Sequence, residues 1–170
     1  MTGLRAVAVT AVVLVAITVQ LGVLPAISVG DVVPNLALVV VIAFALARGP
    51  EYGALVGFAT GLALDLAPPA DHTAGRWALA FVVVGYLAGH VRRDARASAL
   101  AAVLVVAAGS FIGTSIFALS GLLLQDPGVT IEGVLHVLPI ALVYDVVLTP
   151  LVVPAVLLLM RRLEPVSVRM

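Results

Sequence analysis

Asp65 ends the stretch GALVGFATGLALD at 53–65, and Asp145 follows Tyr144 in ALVYDVVLTP at 141–150. A charged carboxylate in hydrocarbon costs about 3 kcal/mol or more, so each acid needs a proton, a partner or the membrane interface. Asp65 falls about 18 Å along a helix from Gly53 at roughly 1.5 Å per residue, in the outer third of a bilayer. Two roles fit it: a helix-end carboxylate that caps the turn at Pro68-Pro69 or pairs with Arg76, or a structural or partner contact. Asp145 is expected near the middle of its segment, five residues before Pro150, whose ring frees the carbonyl of Val146. There it is either a functional intramembrane acid beside Tyr144 or a hydrogen-bonded acid that ties two helices together through Ser110 or Thr114.

Catalytic patterns around these residues are incomplete. Intramembrane aspartyl proteases carry Tyr-Asp on one helix and Gly-x-Gly-Asp on the next. Here Tyr144-Asp145 comes second, and Gly61 reaches Asp65 through GLALD. Ser120 stands in ALSG and lacks the preceding glycine of a rhomboid-type serine. His72, His90 and His136 lie in three separate places, whereas a metal needs converging ligands. His90 and His136 read as interfacial, and Trp77 beside Arg76 as an anchor at the outer interface. Cysteine is absent, which excludes disulfides, thiolate metal sites and a cysteine nucleophile. The reading is a protein with no catalytic residue, metal or cofactor.

Glycines give the more regular signal. Gly53, Gly57 and Gly61 recur at steps of four, as do Gly85 and Gly89, then Gly109 and Gly113. Helices in lipid gain nothing by hiding apolar surface, so they associate by close backbone approach, which small residues four apart permit. These positions are expected to form packing seams, within the protein or with a partner helix.

The elements that carry these residues follow from composition. Of the 170 residues 63% are hydrophobic and 11% charged, and the apolar residues run in long blocks. The solvent for most of the chain is therefore lipid. A spanning helix needs about twenty residues, and the pattern predicts six transmembrane helices at about 5-25, 33-48, 51-67, 76-92, 97-124 and 133-160. Segment 2 has Pro34 in its first turn, where a missing N–H is harmless. The first block is read as a helix, because LPA at 24–26 is a poor signal-peptidase site. All nine cations are Arg. With the N-terminus inside, Arg5, Arg48, Arg92, Arg93, Arg96, Arg161, Arg162 and Arg169 fall on one side, and Arg76 alone on the other. Asp31, Asp71, Asp126 and Glu132 fall on the Arg76 side. The expectation is a multi-pass protein of the cytoplasmic membrane with both termini cytoplasmic. Connections of about a dozen residues or fewer leave no room for an extramembrane domain, so 1-170 reads as one integral membrane domain. Segments 3 and 6 share an acid followed by a proline (Asp65 and Pro68; Asp145 and Pro150), a weak sign of internal repetition.

With these spans laid out, the chain resembles the MreD family of rod shape-determining membrane proteins. The matching stretches are PNLALVVVIAFALARGPEYGALVGFATGLALDL at 34–66, GRWALAFVVVGYLAG at 75–89 and LTPLVVPAVLLLMRRL at 148–163. They contain the family's Pro-Asp/Asn-Leu, here Pro34-Asn35-Leu36, and its Gly-rich third helix ending in an acid, here Gly57, Gly61 and Asp65. A proline in the last helix ahead of a basic end follows, here Pro150 with Arg161 and Arg162. The resemblance implies a non-enzymatic scaffold of the cell-elongation complex that binds MreC, a single-span protein. It also implies association with MreB, RodA and a class B penicillin-binding transpeptidase, which direct peptidoglycan synthesis. The implied fold is all-α, similar to the substrate-binding subunits of energy-coupling-factor vitamin transporters. The chain departs from some relatives in lacking an acid in segment 5 and in carrying Asp145 where others often have a neutral residue.

On this reading the glycine seams face the MreC-like helix, and RRDAR at 92–96 and RRL at 161–163 meet anionic lipid or a cytoskeletal partner, with no nucleic acid involved. Two rivals are a vitamin-type substrate-binding subunit and a proton-coupled transporter using Asp65 and Asp145. The first is disfavoured by segment 1, RAVAVTAVVLVAITVQ, which has no Ala-x-x-x-Ala pair, and by small outer loops poor in aromatics.

Overall fold

The computed structural model describes residues 2–68 and 72–163. Pro69, Asp71 and Arg169, which enter the turn, loop-charge and orientation expectations above, lie outside the described residues. The helices are α1 (Thr2–Gly22), α2 (Leu36–Arg48), α3 (Pro50–Leu66), α4 (Arg76–His90), the single turn α5 (Arg92–Ala95), α6 (Ala99–Leu123) and α7 (Ile131–Arg162). A 3-10 turn, Leu24–Ile27, and an isolated bridge between Val29 and Val32 join α1 to α2.

Each expected segment contains one long helix, with three differences in its bounds. α1 stops at Gly22, and Pro25 lies in the first turn of the 3-10 segment instead of ending α1. α2 starts at Leu36 with Asn35 as its N-cap, so Pro34 precedes the helix rather than lying in its first turn. Segment 4 breaks at Val91, whose φ of −89° and ψ of 11° interrupt the helix, and Arg92–Ala95 turn separately.

Among the described residues three helices are long and apolar enough to cross a membrane: Gly3–Gly22, Ala99–Leu123 and Ile131–Arg162. α2, α3 and α4 have 13, 17 and 15 residues, short of the about twenty that a full span needs. α2 is the hub. Its sequence LALVVVIAFALAR is apolar on every face, and a helix of that kind belongs in the interior. Ala37 to Leu46 are 0–3% exposed, enclosed by α1, α3, α4, α6 and α7.

α3 and α4 form the tightest pair, an antiparallel hairpin in glycine register. A Cβ at Gly53 would overlap the carbonyl oxygen of Gly85, at Gly57 that of Phe81, and at Gly61 that of Trp77. Each step of four along α3 is matched by a step of four back along α4. Gly89 completes the pattern against Pro50. Gly109 and Gly113 of α6 meet side chains instead: Ile42 and Val84, then Leu38 and Val84. All seven glycines therefore face helices of this chain.

Gly57→Ala forces α3 and α4 apart and is expected to cost about 1–3 kcal/mol. Gly22→Ala, where a Cβ meets nothing within 4 Å, is expected to be neutral. Thermal unfolding in detergent, followed by Trp77 fluorescence, compares the two, and equal midpoints would refute the close-packing role.

Candidate functional site

The polar groups converge at the N-terminal end of α2. The first N–H groups of any helix lack intrahelical acceptors, and at membrane depth no water supplies them. Here three side chains do so. Asn35 N donates to Asp145 Oδ1 at 2.9 Å, Ala37 N to Gln20 Oε1 at 2.8 Å, and Leu38 N to Asn35 Oδ1 at 3.1 Å. Asp145 is 0% exposed, and its other oxygen accepts from Ser110 Oγ at 2.7 Å. One carboxylate thus ties α2, α6 and α7 together, and Gln20 adds α1. The positive end of the α2 dipole favours an acid at this position.

Of the two hydroxyls expected near Asp145, Ser110 makes the bond; Thr114 is buried on the same helix without it. Thr149 Oγ1 donates back to the Asp145 carbonyl at 2.9 Å. Tyr144 serves a different contact, donating its hydroxyl to the Ile27 carbonyl on the turn between α1 and α2. Tyr144 and Asp145 therefore do not converge on a common point. Pro150 lies within α7, with Pro139 and Pro154.

Asp65 does the same work for α4. It is 2% exposed and accepts from Gly75 N at 2.8 Å, Ala78 N at 3.0 Å and Trp77 N at 3.1 Å. This corrects the first expected role, because the carboxylate caps the next helix rather than its own terminal turn and Arg76 is not its partner; the contact is the structural one that the sequence left as the alternative. Arg76 pairs with Asp126, donates to the Phe117 carbonyl and lies 3.9 Å over the Phe117 ring. Trp77, half-buried, stacks on the same ring at 4.1 Å. His72 Nδ1 lies 3.7 Å from Asp65. Asp65 and Asp145 bond to different helix starts, those of α4 and α2. Among the described residues no group of three His, Asp or Glu converges as a metal set.

Two surfaces remain open. At the far end from Arg76, Arg48, Arg92, Arg93 and Arg96 line a cavity of about 590 Å³, while Arg161 and Arg162 are exposed at the end of α7. Arg5 Nε donates to the Leu163 carbonyl at 2.7 Å and joins the start of α1 to the end of α7. Between those helices an apolar groove of about 370 Å³ has Leu36 and Val40 of α2 as its floor. Gln20, Asp126 and Phe117 were not singled out from sequence. An amide near the end of an apolar segment is a usable signal for Gln20, whereas nothing in the order of residues pairs Arg76 with position 126.

Asp145→Ala leaves Asn35 N and Ser110 Oγ without a buried partner and is expected to cost about 1–3 kcal/mol for each. Asp145→Asn keeps an acceptor for the first and a donor to the second, and is expected to cost under about 1 kcal/mol. Asp65→Asn is expected to be the more damaging amide, because its NH2 group would face Trp77 N. Unfolding midpoints in detergent rank the three, and an alanine variant as stable as Asp145→Asn would refute the capping role.

No curated protein and no solved structure gave a match. The family model described as rod shape-determining protein MreD matches residues 2–163. That match runs from the first turn of α1 to the end of α7, and the chain belongs to the MreD family of rod shape-determining proteins.

Proposed function

We propose that this protein is a non-enzymatic membrane scaffold of the cell-elongation complex, and that the groove between α1 and α7 seats the single transmembrane helix of an MreC-like protein. The groove is the observation that carries the reading. Its walls include Ala11 and Ala16 of α1 and Leu151 and Ala155 of α7, with Leu36 and Val40 of α2 lining the bottom. Small residues allow a further helix to approach closely, which is how helices associate in lipid. The glycine seams, the surface first expected for this partner, are filled by α2, α3 and α4.

On this reading the chain is a single membrane domain crossing six times with both termini in the cytoplasm, and MreB, RodA and the class B transpeptidase join through the assembled complex. The short helices α2 to α4 fit a bilayer that thins locally around them. Both intramembrane acids are committed to backbone N–H groups, which weighs against a proton-coupled transporter. At the Arg76 end, where a vitamin-binding subunit would open outward, the cavity beside Phe117 and Thr130 is about 200 Å³, below the about 300 Å³ at which small-molecule pockets begin. That weighs against a vitamin-binding subunit.

Ala155→Trp fills the groove and is expected to lower recovery of an MreC-like protein from native membranes by about tenfold or more. Leu55→Trp, on the exposed side of α3, is expected to leave recovery unchanged. Recovery of an ATPase-coupled module in place of the MreC-like protein would sink the scaffold.

A further inference from the structure

Four arginines stand around one concavity, one of them, Arg48, also lying over the Tyr52 ring. Arg48 ends α2, Arg92 and Arg93 open α5, and Arg96 follows it; together with Ala47 they line the cavity of about 590 Å³. Arg92 lies on the backbone of Gly49: a Cβ there would stand 3.0 Å from its Nη1. Gly49 is both the C-cap of α2 and the residue before α3, a helix of 17 residues, so this guanidinium sits where the negative end of one helix dipole meets the positive end of the next. Among the described residues no carboxylate forms an ion pair with Arg92, Arg93 or Arg96. Asp94 lies on α5 between these arginines, and Glu51 is exposed on the rim of an adjoining cleft. Guanidinium groups gathered around one concavity favour an anion between them.

The adjoining cleft shares Arg48, Arg92 and Arg93 with the cavity and extends to Gly89 and His90. His90 in turn borders a third depression, an apolar groove of about 360 Å³ between α4 and α6. Leu87, Ala88, Leu104, Val105 and Ala108 line it. A basic cavity and an apolar groove are thus continuous around His90.

We propose that this continuous surface binds one anionic phospholipid, with its phosphate among Arg48, Arg92, Arg93 and Arg96 and an acyl chain in the α4–α6 groove. Guanidinium groups grip phosphate through paired, charge-assisted hydrogen bonds. N–H groups at the start of α3 can add to that grip. The apolar groove is what selects a lipid over a soluble phosphate. The site rests on the reading that the chain spans a membrane with this end at headgroup depth, and is separate from the α1–α7 groove. It also differs from the general attraction of basic residues for anionic leaflets, which would not distinguish one arginine pair from another.

Native mass spectrometry of the full chain, released from micelles with equimolar phosphatidylglycerol and phosphatidylcholine of the same acyl chains, tests the site. Phosphatidylglycerol is expected to be retained in preference, and Arg92→Gln with Arg93→Gln is expected to weaken that retention about tenfold or more. Arg161→Gln with Arg162→Gln is expected to leave it intact, and Leu104→Trp to reduce it by blocking the groove. Equal loss from the two arginine pairs would overturn the proposal, and so would equal retention of the two lipids. Displacement of the bound lipid by soluble glycerol phosphate would assign the cavity to a soluble ligand and overturn it too. Recovery of the MreC-like protein, measured on the same variants, reads the scaffold separately, because that partner uses the opposite groove.

Discussion

Two short helices, α2 and α4, start inside the fold, and their first N–H groups must find acceptors where water is absent. Each unpaired group there costs several times what an ordinary hydrogen bond contributes, so the acceptors determine which helices are neighbours. Asp145 reaches α2 from α7, Gln20 reaches it from α1, and Asp65 reaches α4 from α3. Acids are well suited to the role because one carboxylate accepts several donors and also meets the positive end of a helix dipole. In this family member both buried acids act as helix caps.

The rest of the packing follows from placing α2 at the centre. An apolar helix 13 residues long has no face to give to lipid once five others surround it. α3 and α4 then pair through backbone contact, and α6 crosses α2 and α4 over Gly109 and Gly113. α1 is held mainly by α2, with the Gln20 and Arg5 hydrogen bonds at its two ends. Its exposed Leu4, Val7 and Leu14 lie outside the groove, Val15 lines it, and the space between α1 and α7 stays open.

Charge is arranged with equal economy. Arg76, the one described arginine away from the basic end, is 2% exposed, ion-paired to Asp126 and stacked on Phe117. It is a buried structural cation, held by an ion pair and an aromatic ring. The other arginines gather at one end and include the cluster on α5.

Sequence alone determined what depends on composition and local order: a helical membrane protein, the approximate extent of each helix, the family, and the likeness of the glycine spacing to a close-packing seam. Those features are written in runs of apolar residues, steps of four and prolines at helix ends. The tertiary structure decided the partners. That Asp65 caps α4 rather than its own turn, that Arg76 turns to Asp126, and that Ser110 rather than Thr114 meets Asp145 depend on how helices are placed in three dimensions. A one-dimensional pattern carries the need of a buried polar group for a partner; only the packed bundle supplies the distance and direction that choose which one.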